Sequence, residues 1–576
     1  MMQRQIAARL ELSLASALGA CLLWWDISAL DRGQISEYTS LVLSGLILTL
    51  FGALLAMAGP LGLWRAIPRA LGLAVISGGL VWMTGLRFAT VDQFFQTPLP
   101  SLAGLAVATL PVPFLVAAGK SRWNDYPVLF LEAWSIALRL TAALTFTGLV
   151  WLVIFLSDQV LQIVGITVID RLIGHELAIM VISGAALGLG MAVIHDLTEV
   201  ASPYVLLRLF RLFLPVVLAV MAIFLVALPI RGIDGLTGGL SPAMLLLVMV
   251  GAGITLTSIV VDQSDTEAVR NPVLIRSAQA MSVILPVFAG LALWAIWLRV
   301  GQHGWTPGRV FFALVGGLGL GYGLIYAQAV LRGPGWMERI RQGNLVMVLV
   351  AIGLAALWLT PVLNAERISA DNQLARFLDG RLTADALDPS AIGRWGKPGA
   401  LILDKLTALS KEPGQEALAR RLAGETTEPM PDRIALAAEL AAILPVQPAT
   451  ATGTRDTLLP AVEEYQLQDW LQVCSQPLSD GQARCLMVVA DLLPAIPGEE
   501  AMLFLERSAD YTEIAGLYLD KQGVAQYRSA TRPDGRMIDA DAAQRLMESY
   551  RETPPPVTAV QMNQLGTGAD GLMILP

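Results

Sequence analysis

Apolar runs of about 20 residues, the length that crosses a bilayer, recur along the first 363 positions and then stop. Eleven can be read: 10–28, 39–59, 68–87, 100–119, 130–156, 176–195, 206–230, 242–261, 277–298, 310–331 and 344–363. Each predicts a transmembrane helix. The fifth exceeds one perpendicular crossing, so it is expected to tilt or to begin on the membrane surface. Residues 160–170 (VLQIVGITVID) are apolar but too short to span, which predicts an interfacial or re-entrant piece.

Beyond 363 the pattern changes to dense charge punctuated by Pro and Gly. Apolar positions at three-to-four spacing predict helices over 370–379, 399–411, 415–423 and 432–443, with breakers at Glu412-Pro413-Gly414 and Pro429. Residues 485–493 and 501–506 read as strands. The stretches 514–519 and 524–529 read as a hairpin through Asp520-Lys521-Gln522-Gly523. Asp539 is placed to cap a helix over 540–550. The fold class expected is therefore an α-helical polytopic membrane protein of about eleven spans with a C-terminal soluble α+β domain. Its parts are a transmembrane region 1–363, a mainly helical segment 364–450 and an α+β domain 451–576.

Composition supports this division. Hydrophobic residues make up 55% and charged residues 15%, against roughly 25% charged in soluble proteins. A plain soluble enzyme, a disordered chain and a nucleic-acid binder are excluded; the net charge of −8 also argues against polyanion partners. Residues 364–576 hold 19 Lys+Arg and 30 Asp+Glu, a net of −11, leaving +3 for the membrane part. Such an acidic domain is repelled by anionic head groups and should stand off the bilayer.

Between the spans, Lys and Arg number thirteen on one side, from Arg4 and Arg9 to Arg339 and Arg341. Six lie on the other: Arg32, Arg87, Arg171, Arg231, Arg299 and Arg309. The positive-inside rule then puts the N-terminus in the cytoplasm and the C-terminal domain in the periplasm of a bacterial inner membrane. Leu18-Gly19-Ala20-Cys21 looks like a lipoprotein cleavage box, but the apolar run continues through Cys21 to Trp25, so a retained first helix is expected. Cys474 and Cys485 enclose a turn-rich segment and are candidates for a disulfide, which an exported domain can keep.

Candidate chemistry is sparse. Glu132 and Arg139 lie seven residues apart on one face of the fifth span, where buried charge is costly; they read as boundary charges or as a polar path. His175 and His303 share the outer side with Asp158, Asp170 and Glu176, where two imidazoles and a carboxylate would suit zinc or a ferrous ion if they converged; no metal or other cofactor is expected. The run Gly316-Gly317-Leu318-Gly319-Leu320-Gly321-Tyr322-Gly323 has no preceding strand and reads as helix packing, as do Gly184 and Gly188. The soluble domain has no histidine, which excludes a Ser-His-Asp triad built within it.

The stretch Trp297-Leu298-Arg299-Val300-Gly301-Gln302-His303-Gly304-Trp305-Thr306-Pro307-Gly308-Arg309 resembles the hallmark of a bacterial membrane family, catalogued as domain of unknown function 4153. In that family an Arg, a Gln-aromatic-Gly step and a Thr-Pro-x-Arg turn link two helices, and His303 here replaces the commoner aromatic. The run from Glu132 through Arg139 to Trp151 is similar too. The resemblance implies a polytopic inner-membrane protein and supplies no activity. Thr306-Pro307 also reads as a helix N-cap followed by proline at the first helical position.

The role expected is non-enzymatic: an envelope scaffold, sensor or assembly factor, embedded in lipid and meeting an envelope protein through its outer domain. Two alternatives stay open. One is a transporter using Glu132 and Arg139. The other is a glycosyltransferase with a lipid-linked donor, whose catalytic carboxylates would be Asp26 and Asp31, with Arg32, in the first outer loop.

Overall fold

The computed structural model of the chain describes residues 2–163, 168–198, 204–231, 241–423, 433–476, 482–493, 498–508, 511–520, 525–530, 532 and 538–559. Two compact units divide it, Met1–Leu422 and Ala423–Pro576.

The first unit is helical. Among the described residues, eleven helices are long and apolar enough to cross a membrane: Arg9–Asp31, Glu37–Leu61, Leu63–Gly85, Pro98–Lys120, Tyr126–Gln162, Glu176–Ile194, Leu206–Pro229, Pro242–Val261, Pro272–His303, Pro307–Leu331 and Trp336–Leu359. They are the first to eleventh spans, and the protein is a multi-pass integral membrane protein. Local sequence sets their starts. Ser36, Asn271 and Thr306 cap helices by accepting from the N–H of Thr39, Val273 and Arg309. Proline opens the fourth, eighth, ninth and tenth spans, where its missing N–H costs nothing.

Two spans are broken. The fourth changes direction between Pro98–Thr109 and Val112–Lys120, where Pro111 has no N–H to continue the ladder. The seventh divides into Tyr204–Arg211 and Phe213–Arg231. The fifth helix is continuous over Tyr126–Ile163, 38 residues. At 1.5 Å per residue it reaches about 57 Å, well beyond the ~30 Å of a hydrocarbon core. The interfacial or re-entrant piece expected over 160–170 is replaced at both ends. Residues 160–163 extend the fifth helix, Val168–Ile173 forms a helix of its own, and 164–167 lie outside the described residues.

Small residues bring spans together as expected, with one exception. A Cβ at Gly184 would stand 2.7 Å from that of Ala20 in the first span, and one at Gly323 2.7 Å from the nitrogen of Pro286 in the ninth. Gly317 instead faces open space. One buried core gathers Leu246, Val250, Met281, Leu285, Phe288 and Tyr326 between the eighth, ninth and tenth spans. Another gathers Met57, Ala66, Val116 and Ala143.

Four further helices after the last span belong to this same unit: Ala365–Leu378, Pro389–Gly393, Gly396–Leu409 and Glu416–Leu422. The compact unit thus runs past the last span, to Leu422. The reason is that Ala365–Leu378 turns a buried polar stripe onto the span ends, while Leu387, Trp395, Ile402 and Leu406 close a small core beside it. The segment 364–450 expected as one piece is split, because Arg433–Ile443 packs in the second unit.

The second unit is built on a five-stranded sheet: β1 Val446–Gln447, β2 Cys485–Ala490, β3 Glu500–Ser508, β4 Tyr511–Leu519 and β5 Ala525–Ser529. The spatial order is β1-β2-β3-β4-β5, with β1 parallel to β2 and the other pairs antiparallel. Alternate residues of β2 point to opposite faces, and both faces are covered. Cys485, Met487 and Val489 pack with helices Arg433–Ile443 and Glu464–Cys474, whereas Leu486 and Val488 pack with Ala543 and Met547 of helix Ala540–Glu552. Asp539 caps that last helix, its carboxylate accepting from Ala542 N at 2.8 Å. The β4–β5 hairpin pairs Leu519 with Ala525; its connector 521–524 lies outside the described residues.

Candidate functional site

Helix Ala365–Leu378 carries Glu366, Ser369, Gln373 and Arg376 at spacings of three and four, which puts them on one stripe. All four are buried. Arg367 and Asp371, by contrast, are exposed and pair with each other at 3.6 Å. A buried polar stripe is tolerated only where partners meet it.

The partners come from two places. The first is the loop joining the ninth and tenth spans, the segment whose sequence resembles a family hallmark. Gln373 Nε2 donates to the carbonyls of His303 (3.0 Å) and Trp305 (3.1 Å), and Arg376 Nη2 donates to that of Gln302 (2.9 Å). Asn372 Oδ1 accepts from Trp305 N at 2.9 Å. Gly304 closes the ninth span at φ 76° and ψ −178°, a conformation open to glycine, and Arg309 Nη1 donates to its carbonyl at 2.6 Å. Thr306 caps the tenth span, with Pro307 its first residue. Gln302 and His303 thus act here through their backbone, and their side chains, like that of Arg299, are exposed.

The second partner is the end of the third span. Arg87 Nη1 meets Glu366 Oε2 at 3.4 Å, and its Nη2 donates to the carbonyls of Trp358 (2.8 Å) and Thr360. Thr84 Oγ1 donates to Leu359 O at 2.7 Å, and Lys397 N to Arg87 O at 2.8 Å. Burial pulls the Arg87 guanidinium below its ordinary pKa, and the Glu366 charge works against that fall. Arg87 Nε, Glu366 Oε1, Ser369 Oγ and Arg376 Nε are buried without a hydrogen-bond partner among the described residues.

The remaining candidates fall elsewhere. Glu132 and Arg139 do meet, at 3.7 Å, despite their two-turn separation, and Lys120 Nζ reaches the other Glu132 oxygen at 2.5 Å. Arg139 is 1% exposed and also donates to Ala56 O at 3.4 Å. Asp26 is not a loop residue. It lies within helix Met2–Asp31, fully buried, accepting from Ser40 Oγ (3.0 Å) and Ser44 Oγ (2.6 Å) of the second span. Asp31 is the exposed last residue of the same helix, and the connection to the second span is only residues 32–36. The loop expected to present both carboxylates is thus mostly helix, because the first helix continues past its apolar run. Cys474 and Cys485 form a disulfide joining helix Glu464–Cys474 to β2. Among the described residues no three His, Cys, Asp or Glu side chains are grouped to hold a metal ion.

Sequence reasoning missed Glu366, Gln373 and Arg376, whose only signal is the stripe spacing on a helix expected to begin at 370, and saw Arg87 only as a charge between spans. It also missed a cluster at the opposite end of the bundle. There Arg211 pairs with the fully buried Asp262, while Arg341 donates to the carbonyls of Val261 (3.0 Å) and Asp262 (3.1 Å) and pairs with Asp265 at 2.8 Å. Both arginines cap the carbonyl end of the eighth span. Burial raises the Asp262 carboxyl above its usual value, against the opposing Gln263 N–H and Arg211 charge.

In the second unit, Arg507 forms a two-pronged pair with Asp469 (2.7 and 2.6 Å) and a third bond to Glu513 (2.9 Å), which together hold its guanidinium above its ordinary pKa. This ties helix Glu464–Cys474 to β3 and β4.

No family model, no curated protein and no solved structure matches the chain. The chemistry of the stripe rests on its groups alone. Its amide and guanidinium donate to backbone carbonyls and its carboxylate pairs with Arg87; none of its groups is a nucleophile set beside an activating base.

Proposed function

We propose that the protein is a membrane-embedded envelope scaffold or assembly factor of the bacterial inner membrane, which holds its C-terminal unit in the periplasm for a partner. We also propose membership of the family 4153, on the loop Arg299–Arg309. The observation that carries the functional reading is the polar seam on helix Ala365–Leu378. It fastens the first helix after the membrane to the third-span end through Arg87–Glu366, and to the ninth-tenth loop through Gln373 and Arg376. A fixed take-off point suits a protein that presents a domain. The Cys474–Cys485 bridge supports an oxidising compartment for that domain. The transport reading has less to draw on, since Glu132 and Arg139 are closed onto each other, Lys120 and the Ala56 carbonyl.

The test is truncation after Leu422, where the compact membrane unit ends. The shortened protein should accumulate in the membrane yet fail to restore the envelope phenotype of a deletion strain. Full complementation by the truncated chain would remove the C-terminal unit from the function and sink the scaffold reading.

A further inference from the structure

Four acidic side chains of the membrane unit are buried among the described residues: Asp26, Asp158, Asp262 and Glu366. Asp262 faces Arg211, and Glu366 faces Arg87. Asp26 and Asp158 have no cation within ion-pair distance among the described residues, and the Oδ1 of each is buried without a donor there. A buried carboxylate without a counter-charge is costly, so a positive charge is what these positions lack. The two differ in their surroundings. Asp158 accepts from Gln162 of its own helix at 2.7 Å. At Asp26 a second span comes to meet the acid.

Ser40 and Ser44, one turn apart on the second span, bring their Oγ atoms to 3.0 and 2.6 Å from Asp26 Oδ2 and donate to it. A hydroxyl has one proton, and both protons are turned onto that one oxygen. The lone pairs of the two hydroxyls, like Asp26 Oδ1, meet no donor among the described residues. Asp26 is fully buried and Ser40 is 5% exposed, so bulk water does not make up the difference. Oxygen acceptors from two spans thus converge around one negative charge, with nothing positive beside them.

Carboxylate and hydroxyl oxygens are the ligands of hard cations, which need no histidine or cysteine. One carboxylate balances one positive charge, whereas a divalent ion would itself be left uncompensated. Oxygens held 2.6–3.0 Å apart suit a small ion; potassium, with longer bonds, spreads its ligands further. We propose that Asp26, Ser40 and Ser44 form a sodium site between the first and second spans. Asp26 lies five residues before the end of its helix, about 7.5 Å along the axis, and Ser40 four residues after the Ser36 cap. The short connection 32–36 is therefore the way in, and the bound ion ties the first span to the second. The site is independent of the scaffold reading and holds for either orientation of the chain.

The experiment uses the full chain in neutral detergent, in sodium, potassium or choline chloride at equal ionic strength. Thermal unfolding and retention of radioactive sodium are the readouts. With sodium about 100-fold above its Kd, the melting temperature should rise by about 3–5 °C over choline, and potassium should raise it less. Ser44→Ala keeps the carboxylate but removes a ligand, and should raise the half-saturating sodium concentration about tenfold. Asp26→Asn should abolish both the shift and the retained ion. Asp158→Asn removes the other unpaired buried acid and should leave the sodium response as it is, whatever it does to stability. If the Asp26 variant fails to fold, Ser44→Ala against Asp158→Asn carries the comparison. Equal melting in sodium and choline with no retained ion would overturn the site, as would a sodium response lost in Asp158→Asn or untouched in Ser44→Ala. Equal effects of sodium and potassium would overturn sodium as the occupant.

Discussion

Replacing Gly304 with alanine should undo the join between the ninth-tenth loop and the helix that follows the membrane. Two costs add. The backbone at φ 76° and ψ −178° lies in a region almost confined to glycine, where another residue costs about 1–3 kcal/mol. The new Cβ would also stand 2.7 Å from Gln373 Nε2 and 2.8 Å from both Arg376 Cδ and Asn372 Oδ1. Those three side chains dock the loop, so moving them threatens the bonds from Gln373 to His303 and Trp305 and from Trp305 to Asn372. At about 1 kcal/mol per bond the second cost is near 3 kcal/mol, and the sum about 4–6 kcal/mol. Thermal unfolding of the detergent-solubilised full chain is the assay. At about 1–2 °C per kcal/mol for a unit of this size, Gly304→Ala should melt roughly 5–10 °C lower. Gly317→Ala is the control, since its Cβ would meet open space inside a helix. A Gly304→Ala protein melting within about 1 °C of wild type would refute the docking.

Two further outcomes are expected. Glu366→Gln leaves the Arg87 guanidinium buried without its counter-charge and should cost about 3–5 kcal/mol, whereas Arg87→Met with Glu366→Met should cost less than the two single changes summed; strict additivity would contradict a coupled pair. In a Cys21→Ser background, which removes the free thiol, the native protein should resist alkylation until reduced, and Cys485→Ser should lower stability by about 2–3 kcal/mol; ready labelling of both cysteines without reductant would refute the bridge.

The spans were legible because lipid makes a severe demand: about 20 apolar residues in a row, with every backbone group satisfied inside the helix. Their ends were less so. The first helix runs to Asp31 although its apolar run ends near residue 28, since helical hydrogen bonding does not stop where hydrophobicity does. That extension is why Asp26 sits inside a span, against Ser40 and Ser44, rather than in a loop. In the second unit the β4–β5 hairpin and the Asp539 cap follow from short-range rules, whereas β1 is two residues long and paired in parallel with a strand almost forty positions away, leaving no local pattern to read. The seam was hidden for a related reason. Arg87 and Glu366 are 279 positions apart, and nothing at either position names the other. The Thr306-Pro307 start was readable as a cap, but that Gly304, Gln302 and His303 serve through backbone carbonyls emerges only when Gln373, Arg376 and Arg309 are seen to reach them.

The proposed function requires that the eleven spans leave the C-terminal unit on the side of the membrane opposite to the N-terminus, in the periplasm. Reporter fusions after residue 576 address it most directly. A C-terminal alkaline phosphatase should be active and a C-terminal fluorescent protein of the cytoplasmic type dark. Bright fluorescence with an inactive phosphatase would place the unit in the cytoplasm and contradict the account.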